Sequence, residues 1–308
     1  MRNIFIVTLG AREVQFLEAN LKNEGFIIPQ NDKGWLTHPN SHTIKLQIYR
    51  NDNFPDYFCC QYPRSDGKVI LDHWDRFQHV VEFPLIQHAL DSLIKDYPIH
   101  QVILIFTDQE DLNISNPQHE RNFLRDTVYL RDILRKDLRS KFPYLPNDPD
   151  ADIQIREKAT NIDFQYKYFA EKCKSLFENE KEIQQIFLLA QGGIDQINHA
   201  LTLQLIQAFG LKVKLWQQAE GDEPKEIFFP FLFLEDFEKA RIKELLANYD
   251  FKGISIVCTD PQIKYLATIG DSLMTFRPKS IETSLMQTIN LIQESIPSFL
   301  QRKLLLSL

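Results

Sequence analysis

Three short apolar runs constrain the fold of this chain most strongly. They cover residues 4–7, 102–106 and 186–190, and each stops abruptly in small or polar residues. Their hydrophobicity is continuous rather than alternating, which is typical of strands that are covered on both faces in a parallel sheet. We therefore predict that the three runs are central strands of one sheet with helices on both faces.

Helical periodicity separates these runs. Apolar residues recur at intervals of three and four in segments 83–93, 122–138 and 164–177, which predicts three amphipathic helices. Two more strands are predicted over 42–49, in a hairpin or at an edge, and over 153–156 after a proline-rich surface loop. Strands that alternate with helices indicate an α/β fold, here a Rossmann-like, mainly parallel sheet.

The pattern becomes mainly helical after the acidic stretch 220–224. Helices are predicted over 236–249, 261–270 and 280–297, which open at Asp236, Pro261 and Ser280. We expect the apolar run 228–234 to lie in the core or at a dimer interface. These patterns predict a ligand-binding domain over residues 1–220 and a mainly helical C-terminal extension over 221–308, used for dimerisation or signal transmission.

Composition narrows the function. The 308 residues include 35 basic and 42 acidic side chains, a net charge of -7, which argues against binding a long nucleic acid. No apolar run approaches the roughly 20 residues of a membrane helix, and the first strand leaves no room for a signal peptide, so we expect a cytoplasmic protein that does not bind membranes. The four cysteines form no C-x-x-C pair, which favours reduced core thiols.

Small and hydrogen-bonding residues follow all three predicted central strands: Thr8-Leu9-Gly10, Thr107-Asp108-Gln109 and Gln191-Gly192-Gly193. Ligands of open parallel sheets bind outside the carboxyl ends of the strands, so these residues predict the pocket. Two glycines before a helix allow positive φ and close approach of a ligand, and a helix N-terminus favours an anion. The alternative is a tight turn without a ligand, and the spacing matches neither a dinucleotide-binding fingerprint nor a P-loop.

The same residues resemble a known family. A first strand that ends in Thr-Leu-Gly, and a late segment with Gly192, Gly193, Asn198, Ala200 and Leu201 at matching positions, are similar to the CARF (CRISPR-associated Rossmann fold) domains of type III CRISPR systems. Ile194 stands where the family commonly has threonine, and Gln191 where serine or threonine is common. The resemblance covers about residues 1–220.

The resemblance implies a sensor that binds cyclic tetra- or hexa-adenylate across a homodimer and relays the signal to an effector domain or partner. Two alternatives stay open: a metal-independent ring nuclease that cleaves the same ligand, and a protein that binds another anionic metabolite. No catalytic residue, cofactor or metal is assigned. Pro39 separates His38 from His42, and the Asp and His residues near Trp74 lack the spacing of a metal site.

Basic residues outnumber acidic ones over 120–141, although most of these charges suit a solvated helix face. Arg121 and Arg125, together with Arg12 after the first strand, are the cations placed to reach the pocket. The predicted ligand-binding residues are Thr8, Leu9, Gly10, Ala11, Arg12, Thr107, Asp108, Gln109, Arg121, Arg125, Gln191, Gly192, Gly193, Ile194, Gln196 and Asn198.

Overall fold

The computed structural model describes residues 1–52, 54–109, 117–176, 182–218, 223–276 and 286–294, with the backbone alone at 117–119, 121, 176 and 276. The chain forms two compact units, Met1–Pro230 and Phe231–Leu308. The predicted roles of a ligand-binding domain and a C-terminal extension stay predictions, because compactness assigns neither. Within the described ranges, no helix combines the length and apolarity needed to cross a bilayer.

Eleven strands are described, in chain order β1 Arg2–Thr8, β2 Gln15–Leu17, β3 Lys33–His38, β4 Ser41–Arg50, β5 Tyr57–Cys60, β6 Val81–Glu82, β7 Gln101–Thr107, β8 Ile153–Ile155, β9 Ile183–Leu189, β10 Val213–Gln217 and β11 Lys225–Ile227. The described helices are α1 Glu18–Asn23, α2 Pro63–Asp72, α3 Trp74–Phe77, α4 Pro84–Asp96, α5 Pro117–Leu124, α6 Val128–Lys141, α7 Ile162–Leu176, α8 Asp195–Phe209, α9 Phe229–Ala247, α10 Phe251–Val257 and α11 Pro261–Phe276, and residues 286–294 are also helical.

The first sheet confirms the predicted fold class. Its order is β11-β10-β9-β1-β7-β8, and every pair is parallel except β10 with β11. The three predicted central strands are neighbours in the middle, where Val7 is paired with Leu104 on one side and Leu189 on the other. Phe5 and Val7 pack in a core with α4 and α6, while Ile4 and Ile6 are equally buried on the opposite face. Burial on both faces explains why the apolar runs are continuous.

A second sheet lies between β1 and β7 in the sequence. Its order is β3-β4-β5-β2-β6 and its pairs are antiparallel. The predicted strand over 42–49 is β4, and Ile44, Leu46 and Ile48 are buried as predicted. Strands β2, β5 and β6 were not predicted, because they are two to four residues long and too short to display a period.

The prediction of one helix over 122–138 is wrong. Helix α5 ends at Leu124 and α6 begins at Val128, because the residues between them are held by contacts with other parts of the chain. The buried Asp126 accepts hydrogen bonds from Arg64 and from the Gln109 backbone, at 3.0 and 2.7 Å. Thr127 donates its backbone N–H to the Thr107 carbonyl at 3.1 Å. These long-range bonds outweigh the local helical pattern.

The C-terminal predictions need two corrections. Helix α9 begins at Phe229, so Asp236 is not its cap, and α11 runs through Gly270 to Phe276. The helical segment 286–294 falls inside the predicted helix 280–297, whose two ends lie outside the described residues. Within the apolar run 228–234, Phe228 and Leu232 are exposed, so core burial is wrong for them, and an interface role stays a prediction.

Arg64 is the centre of a buried ion network that joins α2 to the end of β7. Its guanidinium contacts Asp108 and Asp126, and all three side chains are at least 87 % buried. Replacing Arg64 would leave two buried carboxylates without their cation, and breaking a buried pair costs about 3 to 5 kcal/mol.

We therefore expect Arg64→Met to lower the free energy of unfolding by about 3 to 5 kcal/mol in urea denaturation. The matched control is Arg2→Met, because Arg2 pairs with Glu182 at the surface at 3.8 Å and exposed pairs contribute less than about 1 kcal/mol. Equal losses in the two variants would contradict the structural role of the network.

Candidate functional site

The carboxyl ends of β1 and β9 form the centre of the candidate site. We call residues Thr8–Gly10 and Gln191–Gly193, which follow or end these adjacent parallel strands, the glycine rim. Leu9 continues the β1 pairing by donating its N–H to the Ile105 carbonyl at 2.8 Å, and its side chain is buried. The N–H and the side chain of Leu9 are thus engaged within the fold. The prediction that Leu9 binds the ligand stays a prediction.

The two loops of the glycine rim touch through their backbones. A Cβ on Gly10 would lie 2.5 Å from the Gly193 nitrogen, closer than real Cβ contacts. A Cβ on Gly192 would lie 2.7 Å from the Thr8 carbonyl oxygen and would overlap the Glu13 carboxyl. Gly193 has a φ of +81°, in the left-handed region. Packing between the loops therefore requires glycine at the buried positions Gly10 and Gly192, and of the three glycines Gly193 alone exposes its backbone to a ligand.

Three of the predicted ligand-binding residues hold these loops in place. The Gly192 carbonyl accepts hydrogen bonds from the Thr8 hydroxyl at 2.8 Å and from the Asn198 amide at 2.6 Å. Gln191 is bonded to the backbone of Gln218 through both ends of its amide. These side chains serve first to fix the turn, and any contact they make with a ligand must use their remaining hydrogen-bonding atoms.

Helix α8 begins directly after the rim. Its cap residue Ile194 provides no side-chain hydrogen bond, so no cap from that residue covers the first N–H groups of the helix. Asp195 lies in the first turn, where its negative charge interacts favourably with the helix dipole and opposes a second anion. Gly193 is exposed, whereas Ile194 and Gln196 are half-buried. The positive end of α8 therefore contributes to an anion site only together with cations from elsewhere.

The polar side chains of the third predicted loop are hydrogen-bonded within the fold. Thr107 is hydrogen-bonded to Thr127, Asp108 contacts Arg64 and accepts from Gln154 at 2.7 Å, and Gln109 donates to Asp126. Their polar atoms are consumed by the network that ends α5. These side chains therefore serve first to hold the fold, and their predicted ligand contacts stay predictions.

Two of the three predicted cations, Arg12 and Arg125, line the same cavity. Arg125 is exposed between α5 and α6, and Arg12 is exposed after the first loop; both line one cavity of about 340 Å³. Lys33, Tyr49 and Gln61 line the same space beside Ala11, and we call it the basic cavity. The side chain of Arg121 lies outside the described part of the chain.

A second cavity, of about 600 Å³, adjoins the rim on the other side of Arg12. Arg12, Glu13 and the aromatic rings of Phe54 and Tyr57 line it, and we call it the amide cavity because five amide side chains complete its wall: Gln15, Asn51, Gln191, Gln217 and Gln218. Amides that pair with base edges and rings that stack are the groups that recognise nucleobases. The cavity therefore suits a nucleotide better than a simple inorganic ion.

Sequence reasoning missed Glu13 and the wall supplied by the second sheet. Glu13 is 6 % exposed and touches the Gly192 turn, and its burial raises the pKa of the carboxyl to about 8. At neutral pH this acid is mostly protonated, so it can donate a hydrogen bond and carries little charge. The available signal was an acidic residue three positions after Gly10 and immediately before Val14, which begins an alternating apolar pattern.

The described residues offer neither a metal site nor a reactive thiol. No set of three His, Cys, Asp or Glu side chains in those ranges is arranged to hold a metal ion. All four cysteines are free and buried, as predicted, and burial raises the pKa of Cys59 to about 11. A thiol with so high a pKa is a poor nucleophile at neutral pH.

No protein-family model and no curated protein matches this chain. Among solved structures, it is similar to Enterococcus italicus Csm6 bound to cyclic hexa-2'-fluoro-hexa-dAMP, with a TM-score of 0.45 and 13% sequence identity over 95% of this chain. The chain covers 60% of that structure's length. A likeness of this degree assigns neither a family nor a function, which rest on the residues themselves.

The close approach at Gly192 leads to a stability prediction. We expect Gly192→Ala to lower the free energy of unfolding by about 3 kcal/mol, because the Thr8 carbonyl and the Glu13 carboxyl must both move. Gly25→Ala is the control: Gly25 has a φ of +77° and open space around it, so its variant tests backbone strain alone, about 1 kcal/mol. Urea denaturation measures both, and an equal loss would refute tight packing at the rim.

Glu13 leads to a pH prediction. Its pKa is about 8 in the folded chain against an ordinary value of 4.5, so between these values the folded state holds one more proton than the unfolded chain. Stability should therefore fall as pH rises through this range, by up to about 1.4 kcal/mol per pH unit, and level off above it.

The Glu13→Gln variant should lose this part of the slope. Asp66, whose pKa burial raises to about 6, is present in both proteins, so the difference between wild type and variant isolates Glu13. Urea denaturation from about pH 5 to about pH 9 measures the difference. A difference that does not change with pH would show that Glu13 titrates normally.

Proposed function

We propose that this chain is a sensor of cyclic oligoadenylate in type III CRISPR antiviral signalling, with a CARF-like ligand-binding domain. The observation that carries the proposal is the close backbone packing of Gly10 against Gly193 at the carboxyl edge of adjacent parallel strands, where Gly193 is exposed and the amide cavity adjoins. The residues that form it are the ones that resemble the family's motif. The exposed Gly193 backbone and the N-terminus of α8 after it offer phosphate oxygens N–H groups without an intervening side chain.

The surroundings of the rim support a nucleotide over a smaller anion. The amide cavity is large enough for a nucleobase, and Glu13 beside it is mostly neutral at pH 7, so it does not repel phosphate as an ionised carboxylate would. The net charge of -7 is no obstacle, because a small ligand needs only a local site.

The ring is bound between two copies of the chain in this proposal. A cyclic oligoadenylate with an even number of units has twofold symmetry, so identical rims from two protomers can read identical halves. Binding favours one arrangement of the protomers, and the C-terminal unit passes that change to an effector domain or partner.

Isothermal titration calorimetry with cyclic tetra-adenylate and cyclic hexa-adenylate tests the proposal. We expect one of the two rings to bind at one ring per two chains and to raise the melting temperature, while linear oligoadenylate of equal length binds more weakly. Arg12→Met should weaken binding roughly 10- to 100-fold through loss of a charge-assisted hydrogen bond, and Arg139→Met, on the exposed last turn of α6, should not.

Two results would contradict the proposal. The absence of both heat and thermal shift with either ring would exclude binding, and a stoichiometry of one ring per chain would exclude a shared symmetric pocket. Chromatography of the same samples after prolonged incubation separates a sensor, which returns the ring intact, from the alternative ring nuclease. Glu13 favours testing that alternative, because its pKa near 8 suits proton transfer near neutral pH.

A further inference from the structure

The second sheet faces the candidate site with one continuous row of side chains. In register, Lys33 is paired with Tyr49, Tyr49 with Cys59, Cys59 with Gln15, and Gln15 with Glu82. Residues directly opposite each other in an antiparallel sheet point to the same face, so this row crosses all five strands on one side. Lys33 and Tyr49 line the basic cavity, and Gln15 lines the amide cavity.

Arg12 lies over this row and belongs to both cavities. The Arg12 carbonyl accepts a hydrogen bond from the Gln15 amide at 3.3 Å and lies 4.0 Å from the Cys59 sulfur. Arg12 and Tyr49 line the basic cavity together, and burial, partly offset by the Arg12 charge, raises the pKa of Tyr49 to about 12. The loop after β1, which carries the glycine rim, is thereby tied to the second sheet. A ligand on the rim is within reach of groups from that sheet.

Three cations converge on the basic cavity without an acid to neutralise them. Arg12, Lys33 and Arg125 come from the loop after β1, the start of β3 and the junction of α5 with α6. Among the described residues, no carboxylate lines the cavity and none forms an ion pair with these three side chains. Other arginines of this unit behave differently: Arg50, Arg64 and Arg131 are each paired with at least one carboxylate.

The hydroxyl of Tyr49 adds a neutral donor. Burial raises the pKa of Tyr49 to about 12, so at neutral pH the hydroxyl keeps its proton and can donate a hydrogen bond. Three cations and a hydroxyl match the charge of a phosphoryl group, whose oxygens accept several charge-assisted hydrogen bonds, and a cavity of about 340 Å³ has room for one. An adenine base is uncharged, and an unpaired cluster of cations offers it no complementary acceptor.

We propose that Arg12, Lys33, Arg125 and the Tyr49 hydroxyl form a phosphoryl-binding subsite of the nucleotide whose base occupies the amide cavity. This assignment rests on the proposed function in taking the ligand to be an adenylate. It adds Lys33 and Tyr49 to the binding residues and gives the second sheet a role in selecting phosphorylated ligands. Arg12, which lines both cavities, sets the spacing between base and phosphate.

Lys33→Met is the decisive variant because Lys33 is exposed and its loss should leave the fold intact, which an unchanged melting temperature checks. The matched control is Lys45→Met. Lys45 is on the same face of the sheet, four residues before Tyr49 in β4, where it lies 4.3 Å over the Trp35 ring and outside both cavities. The Lys45→Met variant removes the same charge from the same face of the sheet and leaves the subsite unchanged.

Calorimetry with the two cyclic adenylates, adenosine 5′-monophosphate and adenosine tests the assignment in wild type and both variants. We expect Lys33→Met to weaken every ligand that contains phosphate about tenfold and to leave adenosine unchanged, in line with one charge-assisted hydrogen bond. Lys45→Met should bind all four ligands as the wild type does.

The subsite is refuted if phosphorylated ligands bind wild type and Lys33→Met equally, if both lysine variants weaken binding alike, or if no phosphorylated ligand binds the wild type. The two proposals can fail separately. A ring that binds regardless of Lys33 overturns the subsite and leaves the sensor. Lys33-dependent binding of adenosine 5′-monophosphate without binding of either ring supports the subsite and overturns the sensor.

Discussion

The close packing of two backbone segments, Thr8–Gly10 against Gln191–Gly193, is the constraint on which the candidate site depends. Neither loop tolerates a Cβ at Gly10 or Gly192, and the Thr8 hydroxyl and the Asn198 amide converge on a single carbonyl to hold the turn. The turn at Gly192–Gly193 determines where α8 begins, and Glu13 is buried beside it. Burial destabilises the ionised form of the Glu13 carboxyl and raises its pKa to about 8. Carboxyl groups with raised pKa values are typical of functional sites.

A second constraint, the buried ion network around Arg64, determines which strand ends are available to a ligand. The Arg64 network uses the polar atoms of Asp108 and Gln109 and ends α5 before Asp126. The end of β7 is therefore anchored to α2 rather than open to a ligand. In its place, the antiparallel sheet inserted after β1 supplies the remaining wall, through the row that includes Lys33, Tyr49 and Gln15.

The sequence was most informative where local pattern and tertiary environment agree. Continuous apolar runs predicted the central strands because both faces of those strands are buried, and Gly192-Gly193 predicted the turn because only glycine fits there. The pattern could not predict that Thr127 and Asp126 would be held by distant residues, or that Lys33 and Tyr49 would face the rim. Those relations depend on which strands pair and in what register, and on charges whose partners are far away in sequence.

The central claim is that a cyclic adenylate binds against the exposed backbone of Gly193. A single liganded structure tests it most directly. A crystal structure of the protein with cyclic tetra- or hexa-adenylate should place a phosphate against that backbone and an adenine in the cavity lined by Gln15 and Asn51. A ring found elsewhere, such as the cleft lined by Tyr166 and Gln207 between α7 and α8, would contradict the account.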